Sequence, residues 1–214
     1  MIDLIIELFT YASILSYLLP VIAATKYRSG LVKVSRPIFV LVFSDFLFVL
    51  LEIVFAFWIS NSNPIQHVSV FISTIIIFSY YYSIKFHRTV LLILFTLACF
   101  FFVYETFISN RIMDNNTLMS VFSNVSISLI SFIHLFQLFR YDDKNVLEFK
   151  FLFYVSTAFF IFNSSSFYVN LFDSHIRTDV GYLLAIIYPV FSILLVVQNV
   201  FISKAIWTLK RVWS

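Results

Sequence analysis

The chain has 214 residues, of which 61% are hydrophobic and 12% are charged, and its 14 Lys and Arg residues outnumber its 11 Asp and Glu residues. Soluble domains carry about 25% charged residues, so this composition excludes an ordinary soluble domain and predicts an all-α, polytopic membrane protein. The basic residues are scattered over short connections and form no patch, which argues against nucleic acid as a partner.

Seven apolar runs are long enough for a helix that crosses about 30 Å of hydrocarbon at about 1.5 Å per residue. These predicted spans 1 to 7 cover residues 2–24, 37–60, 67–84, 89–109, 118–140, 150–172 and 182–207. Short connections hold nearly all of the charged residues, including the sequence KFHR between spans 3 and 4. We therefore expect one seven-helix bundle, a single domain over residues 1–214, with the lipid bilayer as its surroundings.

The distribution of basic residues predicts the orientation of the bundle. If the spans alternate in direction, 12 of the 14 Lys and Arg residues fall on one side, and only Arg111 and Arg177 fall on the other. The side rich in Lys and Arg is cytoplasmic by the positive-inside rule. The sequence therefore predicts the N-terminus outside and the C-terminus inside, which requires an odd number of spans. We expect the protein to lie in a bacterial inner membrane.

Two acidic residues, Asp45 and Glu52, interrupt the apolar span 2. Seven residues on an α-helix amount to about 700°, so the two carboxyl groups share one face and lie about 10 Å apart along the axis. From the cytoplasmic end, Asp45 lies about 12 Å and Glu52 about 22 Å into the span. An unpaired acid at this depth costs about 3 kcal/mol on insertion scales. We therefore predict that both acids face the interior of the bundle.

Further polar residues lie in other spans and could join these acids. By depth, several of them fall in the outer half of the membrane, where they could form a polar cavity that opens to the outside. The candidate residues of the polar core or ligand site are Asp45, Glu52, Glu105, His134, Asn163 and Tyr188. The alternative is purely structural, because interhelical hydrogen bonds of about 0.6–2 kcal/mol each also hold membrane bundles together.

No motif of an enzyme or of a cofactor site is present. The four histidines lie on different segments and show no zinc-ligand spacing, and there is no Gly-rich phosphate loop or GxSxG element. Retinal chemistry would require a lysine at mid-depth in span 7, whereas Lys204 lies at its cytoplasmic end. We therefore expect a non-enzymatic protein without a metal or a cofactor.

Several short motifs resemble those of the small seven-helix integral membrane proteins of Bacteroidetes-type bacteria. They are Leu19-Pro20, the acid Glu52, the cluster SYYYSIKF, the junction QLFRYDDKNVLEFKFLFYVSTAFFIF and Trp207 near the end of span 7. The resemblance implies a sensor-like or partner-binding protein with seven helices and supplies no chemistry.

Two functions are compatible with these features. The first is a receptor-like or scaffold protein that binds a small ligand or a protein partner and signals through a separate protein in the membrane or the cytoplasm. The second is a carrier for small solutes or protons, with helices arranged 3+1+3 and with Asp45 and Glu52 as successive proton sites. The lack of enzymatic motifs favours the first, and the scarcity of Gly, at 2 residues, argues against the second.

Overall fold

The computed structural model describes residues 2–27, 35–59, 61–109, 117–140, 146–179 and 181–209. These residues form α-helices and contain no strand. The helices are α1 (Ile2–Ser16), α2 (Leu18–Lys26), α3 (Arg36–Ile59), α4 (Asn63–Ser83), α5 (Arg88–Val103), α6 (Thr117–Arg140), α7 (Val146–Asp179) and α8 (Gly181–Leu209), and a π-helical turn, Tyr104–Ile108, continues α5. Seven stretches in the described residues are long and apolar enough to cross a membrane, which confirms the all-α class and the presence of seven apolar helices of spanning length.

Span 1 consists of two helices, α1 and α2, where the sequence predicted one run. The break lies at Tyr17, whose N–H bonds the Ile14 carbonyl at 3.2 Å, a three-residue separation that does not continue the α-helical pattern. Pro20 explains the break, because it has no N–H to donate to the carbonyl of Ser16. A proline is tolerated here since neighbouring groups can satisfy the freed backbone atoms.

Three other boundaries differ from the predicted ones. Helix α4 begins at Asn63 and not at residue 67, because Pro64 fits the first turn of a helix, where its missing N–H has no partner to lose. Helix α7 begins at Val146 and ends at Asp179, where the sequence predicted residues 150–172, and α8 begins at Gly181. The predicted connection at residues 173–181 is therefore largely helical. No Pro or Gly occurs between Val146 and Asp179 to end α7 earlier. The apolar stretches inside these two helices are Val146–Val169 and Pro189–Leu209.

The KFHR sequence forms a tight turn between α4 and α5, as predicted. The Phe86 N–H bonds the Tyr81 carbonyl and the Lys85 N–H bonds the Tyr82 carbonyl, both at 3.1 Å. These two bonds, together with a φ of 61° at Lys85, define a Schellman motif. The rings of Tyr81 and Phe86 lie 5.7 Å apart and supply the apolar contact that accompanies this motif.

Replacement of Lys85 by glycine is expected to raise the free energy of unfolding by about 0.5–1 kcal/mol, because glycine has no Cβ to oppose a positive φ. Lys85→Ala is the control, since alanine keeps the Cβ and should leave the stability unchanged. Unfolding in mixed detergent micelles gives the free energy of unfolding of both variants. Equal stability of the glycine and alanine variants would contradict the assigned turn.

The chain divides into two compact units, which we call the first unit (residues 1–30 and 128–214) and the second unit (residues 31–127). In the first unit, α8 packs against α7, α1 and α2 around buried residues that include Val155, Phe159 and Ile206. In the second unit, α4 packs against α3 and α5. The single domain over residues 1–214 stays a prediction.

Candidate functional site

One face of α3 is apolar and exposed along its length. The exposed residues recur every three or four positions, as a lipid-facing helix requires. They are Val40, Phe43, Leu47, Leu50, Val54 and Phe57. At about 100° per residue, Asp45 and Glu52 lie about 180° from the centre of this stripe. The two acids therefore face away from the exposed stripe, and both are half-buried.

Each of these acids has a hydroxyl partner on α4. The Ser73 hydroxyl donates to Asp45 Oδ1 at 2.6 Å, and the Ser69 hydroxyl lies 3.4 Å from Glu52 Oε1. Ser69 and Ser73 are four residues apart and thus lie on one face of α4. The antiparallel order of α3 and α4 brings the two serines opposite the two acids, so a row of carboxyl and hydroxyl groups runs between these helices.

Glu105 belongs to a different structural element and already has partners. It is 1% exposed, and its Oε1 and Oε2 accept hydrogen bonds from the N–H groups of Leu118 and Met119 at 3.1 and 2.9 Å. These amides lie in the first turn of α6, where backbone N–H groups lack partners inside the helix. A carboxylate is also favoured there by the helix dipole. Glu105 thus caps α6 from the end of α5.

The π-helical turn carries Glu105 to this position. The Ser109 N–H bonds the Tyr104 carbonyl at 2.9 Å, five residues back, and the Ser109 hydroxyl donates to the carbonyl of Glu105 at 2.6 Å. Buried residues of α5 recur at seven-residue intervals, at Leu91 and Ala98, and Glu105 continues this series. The buried face of α5 therefore ends at Glu105, whose carboxylate caps α6.

A second polar contact in this unit joins α4 to α6. Thr74 Oγ1 donates to the Val70 carbonyl at 2.6 Å and lies 2.6 Å from Ser123 Oγ. A hydroxyl has a single hydrogen, so the Ser123 hydroxyl is the donor in the contact with Thr74. This pair lies on the side of α4 away from Ser69 and Ser73. It holds helices together and adds no group to the row of acids.

The other three predicted site residues belong to the first unit. His134 is buried, and its Nδ1 lies 2.7 Å from the hydroxyl of the buried Ser156. Asn163 is buried as well, and its Nδ2 donates to the Phe159 carbonyl of its own helix at 2.9 Å. The side chain of Tyr188 lies outside the described residues. A cavity shared by all six predicted residues would involve both units and stays a prediction.

A buried contact at the break in span 1 was not predicted. The Asn199 side-chain amide on α8 donates to the Ser16 hydroxyl at 2.7 Å, and this hydroxyl donates to the Ser13 carbonyl at 2.6 Å. The contact ties α8 to the end of α1, immediately before the break at Tyr17. It stabilises the point at which Pro20 interrupts the helix.

Ser73→Ala is expected to lower the free energy of unfolding by about 1.5 kcal/mol, because it removes a short hydrogen bond to a carboxyl group inside a span. Ser69→Ala is the matched control and should cost about 0.5 kcal/mol, since its contact with Glu52 is long. The free energies of unfolding of the two variants are compared in mixed detergent micelles. A larger loss for Ser69→Ala would be inconsistent with the observed geometry.

The described residues contain no group of three or more His, Cys, Asp and Glu side chains that could hold a metal ion. The seven apolar helices define the class as an integral membrane protein with an all-α fold. Comparison with protein-family models, with curated proteins and with solved structures finds no match for the chain.

Proposed function

We propose that the protein is a non-enzymatic, receptor-like membrane protein, which binds a ligand or a partner at the inward face of α3 and passes its output to a separate protein. One observation supports this proposal above the others. Asp45 and Glu52 are half-buried, point away from the exposed stripe of α3 and contact hydroxyl groups of α4. Ionisable residues inside a membrane span mark functional sites by default.

Of the six predicted residues, the proposed ligand site uses the two acids of α3. Both oxygens of Glu105 are engaged by backbone amides of α6, so a ligand would have to displace a helix cap to reach them. Asn163 is engaged with its own helix. The proposed ligand site therefore consists of Asp45 and Glu52, with Ser69 and Ser73 beside them.

The orientation and the location belong to the same proposal. The N-terminus lies outside and the C-terminus inside, in a bacterial inner membrane, because 12 of the 14 basic residues then face the cytoplasm. The cytoplasmic connections would contact the partner that receives the signal.

A carrier for protons or small solutes is the second candidate, and the row of carboxyl and hydroxyl groups between α3 and α4 favours it. A proton relay needs ionisable groups at successive depths of the membrane, and Asp45 and Glu52 are separated by about 10 Å along α3.

Proton flux into liposomes separates the two candidates. The protein is reconstituted alone, and wild type, Glu52→Gln and the control Glu7→Gln are compared; Glu7 is exposed on α1. The receptor proposal expects no flux above that of empty liposomes and the recovery of a stoichiometric partner from native membranes. A flux that disappears in Glu52→Gln and persists in Glu7→Gln would instead establish the carrier.

A further inference from the structure

The two acids of α3 differ in the hydrogen bonds that their serine partners can offer. The Ser73 hydroxyl donates its hydrogen to Asp45 Oδ1 at 2.6 Å. This distance lies within the range of about 2.5–2.7 Å for a hydroxyl that donates to an ionised oxygen. Asp45 therefore has the donor that a carboxylate needs.

Ser69 is less well placed to donate to Glu52 than Ser73 is to donate to Asp45. Its hydroxyl oxygen lies 3.1 Å from the Gln66 carbonyl oxygen, closer than the 3.4 Å to Glu52 Oε1. A serine hydroxyl has one hydrogen and two lone pairs, and a carbonyl can only accept. The hydrogen of Ser69 consequently goes to the Gln66 carbonyl, and a lone pair of Ser69 faces Glu52.

An ionised Glu52 would place a negative acceptor against this lone pair. A charge inside a span without a donor is strongly disfavoured. A protonated Glu52 removes the conflict, because its O–H can donate to Ser69, whose own O–H donates to Gln66. The Glu52 O–H then points to Ser69 Oγ, 3.4 Å away, and the Ser69 O–H points to the Gln66 carbonyl, 3.1 Å away.

We propose that Glu52 is a proton-binding site that holds its proton and donates it to Ser69 Oγ, while Asp45 is the ionised member of the pair. The acids of α3 then carry one negative charge between them. This inference goes beyond the proposed function, because it follows from the hydrogen bonds alone and holds for a receptor and for a carrier.

The other ionisable groups on α4 lie on other faces or at other depths than Ser69, the residue that contacts Glu52. His67 lies about 160° around α4 from Ser69, on the side of Thr74 that faces α6. The tyrosines at positions 80–82 lie at least about 16 Å along the axis from Ser69. On α3, Asp45 is the other acid of this face, about 10 Å away.

Infrared spectroscopy of the reconstituted protein at neutral pH tests the assignment, because a protonated carboxyl group has a carbonyl stretch separate from the bands of a carboxylate. We expect this band in the wild type, its loss in Glu52→Gln and its persistence in Asp45→Asn. Ser69→Ala should shift the frequency of the band by removing its acceptor, whereas Ser73→Ala should leave it in place.

The absence of the band from the wild type, or its persistence in Glu52→Gln, would overturn the proposal. Glutamine has the shape and the neutral charge of a protonated glutamate, so the melting temperature of Glu52→Gln should equal that of the wild type. If this variant does not fold, the spectra of Ser69→Ala and Ser73→Ala provide the test. A band that Ser69→Ala leaves unshifted also overturns the assignment. Neither readout depends on flux or on a partner.

Discussion

Glu105→Ala is expected to destabilise the protein by about 3 kcal/mol, because two buried N–H groups at the start of α6 would lose their acceptors. The carboxylate of Glu105 is 1% exposed and engages these amides through both oxygens. Glu105→Gln should show a smaller loss, since its amide keeps one acceptor oxygen and places a donor where the second acceptor was. Unfolding in mixed detergent micelles gives the free energies.

Glu7→Ala is the control for this substitution, because Glu7 is exposed on α1. Its stability should equal that of the wild type. If Glu105→Ala and Glu7→Ala unfold at the same detergent fraction, Glu105 does not hold α6 and becomes available again as a ligand group.

Phe159→Ala is expected to cost about 3–5 kcal/mol, because it leaves a cavity in the packed interior of the first unit. Phe159 is 0% exposed and lies on α7, which packs against α8. Phe57→Ala is the matched control, because Phe57 belongs to the exposed stripe of α3 and is 83% exposed. Lipid or detergent can fill the space that the ring of Phe57 leaves.

The same unfolding measurement compares the two phenylalanine variants. We expect the midpoint of Phe57→Ala to lie close to that of the wild type. If Phe57→Ala lowers the free energy of unfolding as much as Phe159→Ala does, the exposed stripe of α3 packs against protein.

The number of spans and the helical class could be predicted from the sequence, because a membrane imposes long apolar runs and places charges between them. The inward position of Asp45 and Glu52 followed from the cost of an acid in lipid. The break at Tyr17 could also have been anticipated, since Pro20 removes the N–H that would bond the Ser16 carbonyl.

The partners of the polar residues could not be predicted in this way. Glu105 looks like a ligand group in the sequence, since nothing in its surroundings indicates that a π-helical turn aims it at amides 13 and 14 residues further on. Ser69 and Ser73 did carry a signal, because two hydroxyls four residues apart share a face of an apolar helix. Their pairing with the acids depends on the register between α3 and α4, which the sequence does not specify.

The proposed site depends on Asp45 and Glu52 facing the interior of the bundle, and the accessibility of spin labels along α3 to molecular oxygen measures this orientation. Oxygen concentrates in the hydrocarbon of the bilayer, and Cys99 is first replaced by serine so that single cysteines can be labelled. Labels at Leu47, Leu50 and Val54 should be accessible to oxygen, and labels at Asp45 and Glu52 should be protected. High accessibility at both acid positions, with protection at the three apolar positions, would mean that the two acids face lipid and form no inward site.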